Sequence, residues 1–260
     1  MWKNINFENC LSYINNLAAS EAYVRGNAAS DAHMGGCSVS EGKIHPSSSP
    51  SVTISRMCGS GGRTVADELA KYLQSHTASE RHWTVFDKNL IEKVLEDHHL
   101  SKRIAEFLPE GHKSLFAETI EKMRGLHPPT ATIVKQTAET VWNLAESGYV
   151  ILVGRGANVI AEKLGNVCHV RLVGSLENRT ARVEEVYKMS RIAAQEFIKS
   201  QDAAKRHYMR DYFGREIDDP MLYHMIINTD KISYEHAARL IGDAVINRCK
   251  PAAGAGLTAS

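Results

Sequence analysis

A glycine-rich stretch at residues 57–64, Met-Cys-Gly-Ser-Gly-Gly-Arg-Thr, is the part of the chain best suited to chemistry. Glycines let backbone N–H groups turn inward on a phosphate, and the N-terminus of a following helix adds a positive dipole. The phosphate-loop pattern G-x-x-x-x-G-K-[ST] is matched at Gly62 and Thr64, but Met57 replaces the first glycine and Arg63 the lysine. Arg63 keeps the charge, although a guanidinium fork differs from a compact ammonium. The stretch predicts a phosphate site, with a glycine-rich turn without a ligand as the alternative; its residues are Gly59, Ser60, Gly61, Gly62, Arg63 and Thr64.

Two further polar residues follow short apolar runs that are typical of buried strands. Asp87 ends the second run, and ligands of open α/β sheets collect at the carboxyl ends of strands. It either contacts an acceptor or a metal-bound water, or it caps the next helix. Arg155 lies between two glycines at the end of the third run, where a guanidinium can hold an acceptor phosphate bidentately. A surface salt bridge is the alternative for Arg155.

Basic residues also recur at helical spacing in the second half of the chain. Arg179 and Arg182 stand at i, i+3 after the fourth run, with Ser175 as the expected N-cap. We expect these two arginines to bind substrate. The alternative is a solvated helix face on which they pair with nearby glutamates, namely Glu177, Glu184 or Glu185.

A polar and aromatic segment at 190–218 carries more basic residues, namely Lys205, Arg206, Arg210 and Arg215. A predicted phosphate site is compatible with phosphoryl transfer, which needs positioned positive charge more than covalent chemistry. A mobile arginine that closes on the transferring group can supply that charge. Arg206 and Arg210 are the residues that we predict for this role. A plain i, i+4 helix pair between Asp202 and Arg206 is the alternative.

The elements that must position these residues alternate along the chain. Short strands separated by helices predict a parallel sheet with helices on both faces. We therefore expect a three-layer α/β domain at about 51–250, with two helical excursions at 88–147 and 190–218. The predicted strands are Val52–Arg56, Thr84–Asp87, Tyr149–Val153, Val167–Val173 and Tyr223–Asn228.

The two ends of the chain differ from this central part. Apolar residues at helical spacing in Asn6–Ala19 predict a short amphipathic helix, which either docks on the main domain or on a partner. From Ala28 to Ser51, 15 of 24 residues are Ala, Ser, Gly or Pro, which is typical of a flexible linker. Residues 1–50 are therefore a helix and linker, and residues 251–260 a disordered tail.

Composition excludes several classes of protein. The 31 basic and 30 acidic residues give a net charge of +1, which argues against coating nucleic acid by bulk charge. The strongly apolar run Tyr149–Val153 is far shorter than the roughly 20 residues of a membrane helix. The first ten residues lack a secretory layout, and five scattered cysteines without a CxxC pair indicate reduced thiols. We expect a cytoplasmic protein with no nucleic-acid or membrane partner; its oligomeric state cannot be read.

Four ordered motifs resemble the cytidylate kinase-like family, a branch of the P-loop nucleoside monophosphate kinases. They are Met57-Cys-Gly-Ser-Gly-Gly-Arg-Thr-Val-Ala, Val85-Phe-Asp-Lys-Asn-Leu-Ile, Val153-Gly-Arg-Gly-Ala-Asn and Asn228-Thr-Asp, within about residues 51–247. The resemblance implies a P-loop kinase fold with a five-stranded parallel sheet, a helical NMP-binding region at 88–147 and a mobile lid at 190–218. It also implies Mg-ATP as phosphoryl donor and CMP or dCMP as acceptor.

The same resemblance implies roles for individual residues. Gly59–Thr64 would cradle the ATP phosphates, with Arg63 neutralising charge and the Thr64 hydroxyl as a Mg²⁺ ligand. Arg155, with Asp87, would hold the acceptor phosphate in line.

One departure concerns the metal. Cytidylate kinases of the family have Gly-Arg-Asp where this chain has Gly154-Arg155-Gly156, which removes an obvious Mg²⁺ carboxylate. Together with Met57 and Arg63, this change leaves two other functions open. One is a nucleotide-binding regulator or pseudoenzyme, and the other is a P-loop kinase for a different small acceptor.

Overall fold

The computed structural model describes residues 49–77, 81–87 and 130–249 of the chain. Within them a single all-parallel sheet has the strand order β2-β3-β1-β4-β5. This confirms the predicted sheet and places β1, the strand that leads into the glycine-rich loop, at its centre. The strands are β1 (Ser51–Arg56), β2 (Thr84–Phe86), β3 (Val150–Val153), β4 (Val167–Val173) and β5 (Met225–Asn228).

Four predicted strand boundaries were wrong by one or two residues. β1 begins at Ser51, one residue before the predicted start. β2 ends at Phe86, so Asp87 lies just past the strand rather than in it. Tyr149 has a φ of +55° and is not extended, so β3 begins at Val150. β5 begins at Met225 because Tyr223 closes the preceding 3-10 turn, donating its N–H to the carbonyl of Pro220.

Helices connect the strands and cover the sheet. The helix at Thr130–Ser147 ends at the last residue of the predicted helical excursion 88–147. Ser175 is confirmed as the N-cap of α4 (Leu176–Tyr187), where its hydroxyl accepts the Asn178 N–H. A helix of 23 residues, α5 (Arg191–Phe213), fills most of the predicted lid segment at 190–218. The helices are α1 (Gly62–His76), α2 (Thr130–Ser147), α3 (Ala157–Ile160), α4 (Leu176–Tyr187), α5 (Arg191–Phe213) and α6 (Tyr234–Cys249).

The two faces of the sheet bury separate apolar clusters, which makes the domain three-layered. On one face, α1 and α6 pack on β1, with Ile54 and Leu69 fully buried. On the other face, α2 and the end of α5 pack on β3. Trp142 of α2 lies there at 1% exposure, and Trp83 on the first face is 7% exposed, so both tryptophans are packing residues.

Several predictions lie outside the described residues. They concern the N-terminal helix and most of the linker, the helical region at 88–129, and the C-terminal tail. Among the helices of the described residues, none is both long and apolar enough to cross a membrane.

Candidate active site

The glycine-rich loop joins the carboxyl end of β1 to the start of α1, as the sequence predicts. Gly59 and Gly61 adopt positive φ values of +83° and +80°, and the Ser60 hydroxyl bonds the Met57 carbonyl at 2.9 Å. α1 then begins at Gly62 with no side chain capping its first turn. Because the first N–H groups of a helix have no intrahelical partner, they are available to an anion.

Close packing makes glycine necessary at two positions of this loop. A Cβ at Gly61 would lie 2.3 Å from the Tyr234 ring of α6, and one at Gly59 would lie 2.6 Å from the Arg179 carbonyl oxygen. The glycines therefore let α4 and α6 touch the loop backbone, which fixes its shape without a side chain entering the phosphate cradle.

The side chain of Arg63 joins the loop to the edge of the sheet. Its Nε lies 3.0 Å from both carboxylate oxygens of Asp67, one helical turn later, and its Nη1 lies 2.5 Å from Asp87. These contacts place Asp87 beside the loop. Arg63 occupies the lysine position of the phosphate-loop pattern, and in the structure its guanidinium is already bonded to two carboxylates.

Arg179 and Arg182 face the loop rather than the glutamates of α4. Arg182 donates to the Thr64 hydroxyl at 2.6 Å, and its guanidinium lies 4.5 Å from the centre of the Tyr234 ring. Arg179 donates to the Cys58 carbonyl at 3.0 Å. Both residues thus support the loop, and their pairing with those glutamates, the alternative from the sequence, was wrong.

Asp202 of α5 connects this helix to the loop. Its carboxylate accepts the Cys58 N–H at 2.7 Å, Arg179 at 2.7 Å and Lys205 at 3.1 Å. The i, i+4 pair between Asp202 and Arg206, the alternative from the sequence, is not formed, because Arg206 donates to Asp218 instead. Burial raises the pKa of the Cys58 thiol and lowers that of the Lys205 amine, as expected for groups removed from water.

The two arginines predicted to act from the lid have acidic partners near them in sequence. Arg206 donates to Asp218 at 3.0 Å, and Asp218 also accepts from the buried Arg171. Arg210 bonds Glu216 at 2.9 Å. In this conformation both arginines are exposed, and neither lines the cavity that opens beside the loop.

A cavity of about 270 Å³ opens beside the loop, between the ends of β1 and β3 and the inner side of α5. Arg155 lines it from a turn in which Gly154, Arg155 and Gly156 all have positive φ, at +91°, +55° and +69°. A positive φ is unfavourable for arginine, and strain of this kind is concentrated at functional sites. The structure thus places Arg155 at the cavity beside the loop.

Packing explains why glycine follows Arg155. A Cβ at Gly156 would lie 2.6 Å from the Phe213 ring at the end of α5, and the φ of +69° already disfavours other residues. An aspartate has no room there unless the Phe213 ring moves. The missing carboxylate is therefore a consequence of how α5 packs on this turn.

Comparison with known proteins identifies the family of this chain. The model of the cytidylate kinase-like family matches residues 51–231. The chain belongs to that family. Membership supports a P-loop kinase, a nucleotide-binding phosphotransferase, on the fold that the structure shows.

One solved structure is similar enough to bear on the fold of this family member, and two kinases show weaker similarity. An uncharacterized protein from Eubacterium ventriosum ATCC 27560 is 21% identical with a TM-score of 0.59, covering 76% of this chain and 98% of that chain. A shikimate kinase from Bacteroides thetaiotaomicron is 14% identical with a TM-score of 0.44, covering 76% and 98%. A gluconokinase from Sinorhizobium meliloti 1021 is 11% identical with a TM-score of 0.40, covering 76% and 92%. The two kinases are too distant to bear on the substrate. No protein of curated function matches the chain.

Sequence reasoning missed two residues of this kinase-like site, Arg56 and Asn158. Arg56 ends β1 and lines the cavity, where its guanidinium lies against Gly154. Asn158 of α3 lines the same cavity and is 5% exposed. The only sequence signal for Arg56 was its place directly before the glycine-rich loop, and Asn158 gave no signal of its own.

Proposed function

We propose that the protein is an ATP-dependent nucleoside monophosphate kinase that transfers the γ-phosphoryl group of ATP to CMP or dCMP. One observation carries the proposal: the phosphate loop and a cavity lined by basic side chains open side by side at the carboxyl ends of β1 and β3. Donor and acceptor phosphates bound in these two places would be neighbours, which in-line transfer requires.

The donor side of the site is the loop Gly59–Thr64. Its backbone N–H groups and the start of α1 would hold the ATP phosphates. Arg182 and Tyr234 support this part of the loop, through the Thr64 hydroxyl and the close approach to Gly61 respectively.

The residues present fit Mg²⁺ that arrives with the nucleotide. Thr64 offers a hydroxyl oxygen, which retains a lone pair after accepting from Arg182, and Asp87 offers a carboxylate beside Arg63. Both are oxygen ligands, and Mg²⁺ needs only one or two protein ligands when phosphates supply others. Thr64 would therefore hold the ion directly and Asp87 through water. The bound ion would supply charge neutralisation at the β- and γ-phosphates.

The acceptor side of the site is the cavity. Arg155 would hold the phosphate of the acceptor, and one oxygen of that phosphate would attack the γ-phosphorus. The bond between the γ-phosphorus and the bridging oxygen breaks, and its electron pair leaves with ADP. The acceptor phosphate is already anionic at neutral pH, so the step needs no general base.

Arg206 and Arg210 remain the proposed lid residues. To reach the transferring group they would exchange Asp218 and Glu216 for phosphate oxygens. Breaking these ion pairs costs little free energy, because exposed ion pairs typically contribute only about 0–1 kcal/mol to stability. Closure would also exclude water from the site.

The test is ADP release from Mg-ATP with CMP, dCMP, UMP, AMP, GMP, shikimate and gluconate as acceptors. We expect turnover with CMP or dCMP to exceed turnover with the other acceptors. Turnover with shikimate or gluconate alone would replace the acceptor and keep the kinase. If no acceptor gives ADP release although the protein is shown to bind ATP, the result would contradict the proposal and favour a nucleotide-binding regulator.

A further inference from the structure

Basic side chains line the cavity beside the phosphate loop. Three basic residues line it, Arg56, Arg155 and Lys205, and none of its lining residues, all of them in the described part of the chain, is Asp or Glu. A recess of one charge sign with low-dielectric walls concentrates ions of the opposite sign. The cavity therefore suits an anionic group.

Arg56 is the basic residue that lies between this cavity and the loop. Its side chain crosses Gly62, where a Cβ would lie 2.8 Å from its Cγ, and its Nη1 reaches Gly154, where a Cβ would lie 2.2 Å away. Both glycines thus make room for one arginine. This arrangement holds the guanidinium against the loop on one side and against the end of β3 on the other.

The Arg56 guanidinium makes no hydrogen bond or ion pair with another residue in 49–77, 81–87 and 130–249. Burial lowers its pKa, and Asp87 and Asp202 act on it only as more distant charges, opposed by Arg155. By contrast, Lys205 is bonded to Asp202 at 3.1 Å. A partly buried guanidinium without a hydrogen-bonding partner is unfavourable, and an anion in the cavity would supply that partner.

Asn158 points to the same conclusion independently. It is 5% exposed and lines the cavity, and its Nδ2 has no hydrogen-bond partner among the described residues. Buried polar groups are nearly always hydrogen-bonded, and an acceptor atom of a ligand in the cavity would satisfy this amide donor.

We propose that Arg56 and Asn158 form the subsite for the phosphate group of the acceptor, separate from the loop that holds the donor phosphates. That the phosphate belongs to a nucleoside monophosphate rests on the proposed function. The cavity volume of about 270 Å³ lies just below the roughly 300–1,000 Å³ of pockets that enclose whole small ligands. The cavity thus fits the phosphate end of a nucleotide.

The experiment measures anion binding with the donor loop already filled. The full chain is saturated with Mg²⁺ and a non-hydrolysable ATP analogue, and inorganic phosphate, CMP and cytidine are titrated in turn by calorimetry. Arg56→Gln removes the charge, Arg56→Lys keeps it, and Asn158→Asp places a carboxylate against the anion. Arg239→Gln is the control, because Arg239 is exposed and paired with Glu235 on α6.

We expect Arg56→Gln to weaken phosphate and CMP binding by about tenfold or more, because a charge-assisted contact is lost. Arg56→Lys should recover most of that loss, Asn158→Asp should weaken both anions, and the control should match the wild type. Cytidine has no phosphate group, so its affinity should be the same for the wild type and for every variant. A merely structural role for Arg56 would instead weaken the ATP analogue and the anions equally, and that result would overturn the proposal.

The outcome separates this proposal from the proposed function. If the wild type phosphorylates CMP while Arg56→Gln binds phosphate and CMP normally, the subsite is refuted and the kinase stands. If the wild type phosphorylates no nucleoside monophosphate but Arg56→Gln still loses phosphate binding, the subsite stands and the acceptor is another phosphate compound.

Discussion

Replacing Arg179 with methionine tests the network that joins α4, the phosphate loop and α5. Arg179 donates to the carbonyls of Gly174 and Cys58, each at 3.0 Å, and to the carboxylate of Asp202 at 2.7 Å. The ion pair is largely removed from water, since the two side chains are 11% and 12% exposed. Methionine keeps much of the aliphatic packing and removes every hydrogen bond.

The expected magnitude follows from this burial. Removing one partner of a buried ion pair typically costs about 3–5 kcal/mol, because a charge is left uncompensated. Asp202 would still accept the Cys58 N–H and Lys205, so it is not left alone. We therefore expect Arg179→Met to lower the free energy of unfolding by about 3 kcal/mol, the low end of that range.

Urea unfolding of the full chain, followed by tryptophan fluorescence, measures this loss. Asp202→Asn and the double variant complete a double-mutant cycle, and we expect a coupling energy of about 1–2 kcal/mol because the two residues are in contact. Arg239→Gln removes an exposed ion pair as the matched control and should change the free energy of unfolding by less than about 0.5 kcal/mol. A loss below about 1 kcal/mol for Arg179→Met, with additive effects in the double variant, would refute the reasoning.

Three more perturbations test other parts of the structure. Arg63→Ala should weaken ATP binding and turnover, since each charge-assisted contact is worth about 1.5–3 kcal/mol. Arg63→Lys should recover little of the lost activity, because one ammonium group cannot bond Asp67 and Asp87 together as the guanidinium does. Gly61→Ala places a methyl group 2.3 Å from the Tyr234 ring, so it should lower Tm more than Gly214→Ala, which meets nothing within 4 Å at a comparable φ. Burial holds the pKa of His169 at about 3, below its ordinary 6.5, so the folded state keeps it neutral. Its contribution to stability is present above pH 6.5 and is lost as the pH falls toward 3, by up to about 1.4 kcal/mol per pH unit; His169→Asn should flatten that dependence in urea unfolding.

Each of these expectations has a contrary result. Wild-type ATP affinity and turnover in Arg63→Ala would show that the loop does not depend on this charge. Equal Tm losses in the two glycine variants would remove the argument from close packing. An unfolding free energy that falls equally with acid in the wild type and in His169→Asn would place the acid-sensitive group elsewhere.

The fold was largely predictable because it depends on patterns that are local in sequence. The Val167–Val173 strand was predicted with its correct bounds, since it is continuously apolar apart from buried His169 and Arg171. The glycine-rich turn and the helix after it follow from backbone conformation and amphipathic spacing. Boundaries failed where tertiary structure overrode propensity, as at Tyr149, whose ring packs against Trp83 while its backbone turns at a φ of +55°.

The site was less predictable because its contacts are distant in sequence. The spacing of Arg179 and Arg182 put them on one face of α4, yet nothing local indicated that this face meets the loop more than 100 residues earlier. Asp202 looked like the helix partner of Arg206 and instead bonds the loop. Arg56 was missed because its position at the cavity depends on Gly154, which only the folded sheet brings beside it.

The most direct test of the central claim follows the phosphoryl group itself. ATP labelled with ³²P in the γ position is incubated with Mg²⁺, CMP and the full-length protein, and the products are separated by thin-layer chromatography. The account predicts that label appears in CDP at the rate at which ADP forms, and that it disappears from CDP when cytidine replaces CMP. If the label is released only as inorganic phosphate, or if it stays in ATP although the protein binds ATP, the result would contradict phosphoryl transfer to CMP.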